Sequence, residues 1–215
     1  MDTIQLTGAH LQEAILLLKR GEVIALPSDT VYGLAADLYQ EKALLEIFRV
    51  KGRPMSKPLI AFIRNLGELE KLVLEPSELF MRLAEQFWPG PLTLVGKRGP
   101  GVPLAATAGR ETIGVRMPAH ALVLQLLEAF GSPLASTSAN LSSRPSPTTP
   151  EEVLRDLAGK IPAIIDGGPS LSGIPSTILS LEEDVPLLLR IGAIDQRAIE
   201  EAIGMRIRVI PEIFS

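Results

Sequence analysis

The sequence predicts an α/β fold built on a mixed sheet, and three observations carry that expectation. Segments with helical apolar spacing alternate with short strand-like apolar runs along the chain. Several neighbouring strand-like runs have no helix between them, so the sheet is not purely parallel. At 215 residues and 46% apolar content, the chain can bury one large core more readily than two small ones.

The elements follow in order. "AHLQEAILLLKR", residues 9–20, puts its apolar side chains on one helical face and stops at Gly21, a residue suited to the left-handed turn past a helix end. "EVIALP" reads as a short buried strand, the polar turn "SDT" follows, and "VYGLAADL" is a second apolar piece. "QEKALLEIFRVKG" returns to helical spacing and ends at Gly52, and "PLIAFI" is strand-like. "SELFMRLAEQFWPG" is a helix halted by Pro89 and Gly90. The second half repeats the alternation with strands "TLVGK" and "TIGVRM", helix "AHALVLQLLEAFG" and strand "PLAST". A helix at 150 carries the clearest start signal, with Thr149 as cap, Pro150 in the first turn and Glu152 completing a capping box. Strands "PAIID", "STILSL" and "PLLLRI" follow, then the helix "DQRAIEEAI" opened by Asp195. Residues 204–215 read as a short edge strand with a tail.

Composition narrows the function classes. A net charge of -4 argues against general nucleic-acid coating, so an anion site must be local. The absence of cysteine excludes disulfides, thiolate metal sites and a Cys nucleophile. "MDTIQLTGAH" lacks a basic region followed by an apolar run, and no segment is apolar over the roughly 20 residues a membrane span needs. A cytoplasmic protein with no membrane partner is the expectation.

Familiar phosphate loops are missing. "GPLTLVGK" from Gly90 has five residues between its glycines instead of four, and Arg98 stands where a P-loop needs Ser or Thr. There is no GxGxxG. The two histidines, His10 and His120, lie far apart at helix starts and read as surface or cap residues. What stands out is charge: no Asp or Glu occurs between Glu46 and Glu68, while Arg49, Lys51, Arg53, Lys57 and Arg64 fall inside that window. "VKGRPMSKPL" is either a solvated loop or an anion cradle, stiffened by two prolines and opened to close backbone approach by Gly52. "STSANLSSRPSPTTP", residues 136–150, holds eight hydroxyl side chains, one cation and no acid. It is either a linker or a polar wall of hydrogen-bond donors. Arg116 and Arg190 each end an apolar strand, where ligands of open α/β sheets usually bind. As loop cations, Lys51 and Arg53 are expected to be removable without harm to the fold.

Taken together, "PSDTVYGL", "KGRPMSKPL", "TIGVRMP", "STSANLSSRPSP", and "IPSTIL" with "LLLRIGAI" resemble the YrdC/Sua5 family of L-threonylcarbamoyladenylate synthases. The resemblance runs in consistent order from about residue 10 to 195. It implies a single YrdC-like domain over 1–215, with 196–215 as C-terminal helix and tail. The implied fold is a twisted, open mixed sheet flanked by helices (YrdC/RibB-like) with a concave cationic cleft.

The resemblance also implies an activity. Family members use ATP, bicarbonate and L-threonine, with Mg²⁺, to make threonylcarbamoyl-AMP and pyrophosphate. This is the first stage of N6-threonylcarbamoyladenosine formation at position 37 of ANN-decoding tRNAs. A downstream tRNA threonylcarbamoyl transferase complex takes the product, and weak tRNA binding is a further implied contact. Carried over residue by residue, ATP contacts fall at Arg53, Lys57, Thr112, Ser138, Ser146 and Arg190. Threonine contacts fall at Thr30, Arg116, Ser136 and Ser176. Lys51, Arg53, Ser138 and Asn140 match the family's KxR and SxN positions and are the implied catalytic centre. Arg116 is assigned to the threonine carboxylate as a bidentate fork, and Lys51 and Arg53 to the phosphates and the carbamate. No protein ligand is assigned to Mg²⁺. Two departures stand out: several relatives have Asn at Lys57, and some have a threonine-contacting histidine at Phe62. The competing readings are an RNA-binding module for tRNA or double-stranded RNA without catalysis, and a carbamoyl-adenylate-handling relative.

Overall fold

The structure, a computed structural model, describes residues 2–209. Its first strand, β1 (Ile4–Leu6), was not marked by the sequence pattern, because only Leu6 of its three side chains is buried. A 3₁₀ turn over Gly8–His10 delays helix α1 to Leu11–Lys19, two residues later than the apolar spacing suggests. There the Thr7 amide donates to His10 Nδ1 at 3.2 Å, so His10 has a local role at an exposed turn. Strands β2 (Ile24–Leu26) and β3 (Gly33–Asp37) flank the "SDT" turn as expected. Helix α2 (Glu41–Lys51) stops where Gly52 takes a φ of 59°, the left-handed conformation that suits a residue without Cβ. Strand β4 spans Ile60–Phe62.

Two short helices escaped the sequence reading, α3 (Leu69–Leu72) and α5 (Leu104–Thr107); neither is long enough to display a helical period. Between and after them lie α4 (Glu78–Phe87), β5 (Leu92–Lys97), β6 (Thr112–Arg116), α6 (Ala121–Phe130) and β7 (Leu134–Ser138). Helix α7 (Pro150–Leu157) is capped by Thr149, whose hydroxyl accepts from the Glu152 amide at 3.3 Å. Glu152 Oε2 reaches back as the expected capping box requires, and its shortest bonds are to the Thr148 amide at 2.7 Å and the Thr148 hydroxyl at 3.0 Å. The chain closes with β8 (Ala163–Ile165), β9 (Thr177–Ser180), β10 (Leu187–Arg190), α8 (Gln196–Ile203), capped by Asp195, and β11 (Arg208–Val209). Of the anticipated C-terminal strand and tail, 208–209 form that strand, while 210–215 lie outside the described residues.

The eleven strands of the described residues join one sheet in the order β1-β8-β2-β3-β7-β4-β6-β5-β9-β10-β11. Pairs such as β2/β8, β4/β6 and β5/β9 are parallel, whereas β2/β3, β3/β7 and β5/β6 are antiparallel, so the sheet is mixed. Alternation along each strand sorts the side chains onto two faces. One face presents Ala25, Leu34, Ala61, Leu94, Val115, Ala135 and Leu179 to the larger core, with side chains from α2, α3, α4, α5, α7 and α8. The opposite face presents Ile24, Leu26, Ala35, Phe62, Leu134 and Ile165 to a smaller core formed with α1 and α6.

That second face is only partly roofed. The same alternation that brings Phe62 and Leu134 under the helices brings Ile60, Gly114, Arg116, Ser136 and Ile178 onto the part beyond them, where they line an open pocket and cleft. No helix among the described residues is long and apolar enough to cross a membrane.

Leu18 is fully buried in the smaller core. Leu18→Ala should therefore lower the unfolding free energy by about 2–5 kcal/mol in urea denaturation. A loss below about 1 kcal/mol would show that α1 does not seal that face.

Candidate functional site

A polar pocket of about 150 Å³ opens on the unroofed face and runs into a more apolar cleft of about 470 Å³, with Arg53, Pro58, Ile60, Ile178 and Arg190 common to both. Local sequence explains the space. A Cβ at Gly33 would stand 2.9 Å from Ser136 Oγ, so a bare backbone on β3 leaves room for the serine on β7. A Cβ at Gly114 would meet Ile60 and Thr93 at 3.2 Å, so this glycine leaves the cleft floor open.

The expected threonine contacts come together. Thr30, Arg116, Ser136 and Ser176 all line the small pocket. Of the expected ATP contacts, Ser138 and Ser146 line the same pocket, Lys57 and Thr112 line the cleft, and Arg53 and Arg190 stand between the two. Lys51 and Asn140 line neither. Lys57 is exposed.

Arg116, at the end of β6, is almost wholly buried and already engaged. Its Nε donates to the Gly90 carbonyl at 2.9 Å, Nη1 to Thr30 Oγ1 at 2.9 Å and Nη2 to Asp29 Oδ1 at 2.5 Å. The Phe62 ring lies 5.7 Å from the guanidinium carbon, so the departure at 62 places a cation–π partner under this arginine. A guanidinium has five N–H donors, and three are taken here. One N–H on each terminal nitrogen is left, so the free fork expected from the sequence is reduced to those two donors. Burial pulls the Arg116 pKa down and Asp29 pushes it back up.

Arg53 and Arg190 are held by carbonyls. Arg53 donates to the Lys57 and Pro58 carbonyls, which ties down its own loop. Arg190 donates to the Ser176 carbonyl at 2.8 and 3.0 Å and to Ser176 Oγ at 3.1 Å. Ser176 Oγ in turn lies 2.8 Å from Thr93 Oγ1. Burial, with Arg116 and Arg53 nearby, drops the Arg190 pKa to about 10. Three cations are therefore crowded into one partly desolvated space, and an anion bound among them would relieve their repulsion.

Lys51 requires a correction. It is the last residue of α2, 2% exposed, and not a cation of the surface loop. Its Nζ donates to the carbonyls of Ser138 and Asn140 at 2.5 and 2.7 Å and to Asn140 Oδ1 at 3.0 Å. The Lys51 carbonyl accepts from the Ser142 amide, and Asn140 Nδ2 donates to the Arg144 carbonyl. On the other side Asp156 of α7 accepts from the Leu141 amide and from Arg144. The hydroxyl-rich segment is thus a fastened wall and not a linker, and removing Lys51 would strip three buried acceptors of their donor. Burial, reinforced by Arg53, pushes the Lys51 pKa down to about 7, against the opposing pull of Asp156.

Sequence reasoning missed Asp29 and Ser28. Ser28 Oγ accepts from the Thr30 and Val31 amides and sets the turn that presents Thr30. Asp29 is buried against Arg116 and the Ala119 amide. The available signal was the run "PSDT" itself, an acid and two hydroxyls between buried strands. His120 is the N-cap residue of α6 as anticipated, though its side chain makes no cap bond, and burial lowers its pKa.

The chain is similar over most of its length to proteins of one family. The Sua5/YciO/YrdC family model, described as "Telomere recombination", matches residues 16–192. A threonylcarbamoyl-AMP synthase of Pyrococcus abyssi is 45% identical over 92% of this chain and 58% of its own. That of Bacillus subtilis is 43% identical over 94% and 59%. The crystal structure of P. abyssi Sua5 complexed with L-threonine superposes with a TM-score of 0.95 at 42% identity, covering 97% of this chain and 63% of that one. The chain spans about three fifths of the length of these relatives.

The Lys51 environment has a pH signature. Free lysine titrates near 10.5 and the folded group near 7. Between those values the unfolded chain holds a proton that the folded chain has released, so stability climbs with pH across the window. Urea denaturation from pH 7 to 10 should show that climb in the wild type and a flatter profile in Lys51→Met. Equal slopes would contradict the burial of Lys51.

Proposed function

The chain belongs to the Sua5/YciO/YrdC family, and on that premise we propose that it is an L-threonylcarbamoyladenylate synthase. It joins L-threonine, bicarbonate and ATP into threonylcarbamoyl-AMP with release of pyrophosphate, a nucleotidyl transfer that supplies tRNA threonylcarbamoylation in the cytoplasm. The observation that carries the reading is the joined pair of cavities with Arg53 and Arg190 at their junction. A carbamate attacking the α-phosphate of ATP requires two anions to be held together while charge builds on the phosphoryl group. Fixed cations meet that need without a covalent nucleophile.

In this reading the small pocket takes threonine, with Arg116 receiving the carboxylate and Thr30, Ser136 and Ser176 offering hydroxyls. The cleft takes the nucleotide over the apolar floor of Ile60 and Ile178, beside Thr112 and Lys57. Arg53 and Arg190 hold the phosphates, and Ser138 and Ser146 donate to them from the fastened wall. Lys51 and Asn140 serve the centre by holding that wall in place, because both side chains are spent on it. Among the described residues no group of three or more His, Cys, Asp or Glu could hold a metal ion, so Mg²⁺ would be held by the phosphate oxygens of the nucleotide and would neutralise part of their charge there. The product passes to the transferase that modifies tRNA.

Incubation with ATP, bicarbonate, Mg²⁺ and L-threonine should release pyrophosphate only when threonine is present. No release, or equal release with unrelated amino acids, would contradict the assignment. Arg53→Ala and Arg190→Ala should each lower kcat/KM for ATP by about 10²-fold while circular dichroism stays unchanged. Unaltered kinetics in both would remove the junction from the site.

A further inference from the structure

The geometry points to Asp29 as the positioning residue of the amino-acid pocket, a carboxylate that acts on the substrate through Arg116. This inference rests on the pocket's being an amino-acid site. Asp29 is 7% exposed, lies behind the pocket lining, and fixes one terminal nitrogen of Arg116. It is itself held by the Ala119 amide at 3.2 Å. Its carbonyl accepts from the Ser172 amide and that of Thr30 from the Gly173 amide, so the backbone carrying both partners of Arg116 is clamped as well.

The consequence is directional. The Gly90 carbonyl, Thr30 and Asp29 set the plane of the guanidinium from three sides, and the Phe62 ring supports one face. A carboxylate can then be received in one plane and along one axis, by the remaining N–H of each terminal nitrogen. With that axis fixed, the hydroxyls of Thr30, Ser136 and Ser176 on the pocket walls meet the other substituents of Cα in an order that differs between the two enantiomers. Without Asp29, Arg116 would keep its charge and its bonds to the Gly90 carbonyl and Thr30, but both N–H groups of Nη2 would stand free. The surplus of positive charge among Arg53, Arg116 and Arg190 would still draw a carboxylate, but it would no longer be confined to one seat on the guanidinium.

Two measurements test this. In the ligand-free wild type, ¹⁵N NMR of the Arg116 side chain should resolve Nη1 and Nη2 as separate resonances, and exchange between them should speed up in Asp29→Ala; averaged resonances in the wild type, or equally slow exchange in a folded Asp29→Ala, would overturn the proposal. Calorimetric titration with L- and D-threonine should give a preference of about tenfold or more for the L form in the wild type. That preference should fall to within about threefold in Asp29→Ala, which removes the acceptor, with much of the total affinity retained. Asp29→Glu, which restores the carboxylate on a longer stem, should recover part of the preference. An unchanged preference in a folded Asp29→Ala would reduce Asp29 to a structural partner and overturn its positioning role. If the wild type binds neither enantiomer, the amino-acid reading of the pocket fails, and the NMR signature, which needs no ligand, then decides whether Asp29 fixes Arg116.

Discussion

Everything at the site depends on helices α1 and α6 roofing only part of one sheet face. A sheet with both faces covered buries its side chains as core, and a sheet with one face bare would expose them to water. Here the alternation of the central strands carries a core residue under the roof and a pocket- or cleft-lining residue beyond it. Phe62 on β4 reaches the edge of the smaller core, and Ile60, two residues earlier, floors the cleft. On β7, Leu134 is core while Ser136 and Ser138 face the pocket. The same backbone register therefore builds the fold and places Thr112, Arg116, Ser136, Ser138 and Arg190, while Thr30, Arg53, Lys57, Ser146 and Ser176 come from the segments between the elements.

On that platform the electrostatics are deliberately uncomfortable. Arg53, Arg116 and Arg190 share a partly dry space in which burial disfavours the charge of all three, and for Arg190 the nearby Arg116 and Arg53 add repulsion. Asp29 offsets one of them, and carbonyl oxygens hold the other two in place without neutralising them. Stability is given up locally so that anion binding is favourable. Lys51 makes the parallel case on the other side of the wall. Its ammonium is placed among three oxygens, which fastens residues 138–142 to the end of α2 and aims the serines of β7 and its loop into the pocket.

Much of this was legible in the sequence. Helices longer than two turns and most strands follow from apolar period, and the family resemblance singled out Thr30, Arg116, Ser136 and Ser176, which line one pocket in the structure. What failed did so for identifiable reasons. Residues 4–6 carry a strand by pairing with β8 and not by burying an alternating pattern, and the four-residue helices α3 and α5 are shorter than a helical repeat. Lys51 was grouped with the loop cations because charge dominated the reading. Yet Leu44, Ile47, Phe48 and Lys51 fall on one helical stripe, and that spacing already placed the lysine on the buried face. Asp29 was passed over because its partner lies 87 residues away and only the folded sheet brings them together.

The account stands most directly on where the two ligands sit. A crystal structure of the protein soaked with L-threonine and a non-hydrolysable ATP analogue should place the threonine carboxylate on Arg116. The phosphates should lie between Arg53 and Arg190, the adenosine over Ile60 and Ile178, and Lys51 should remain bonded to Ser138 and Asn140. Nucleotide found elsewhere on the surface, or Lys51 withdrawn from the wall to contact a phosphate, would contradict it.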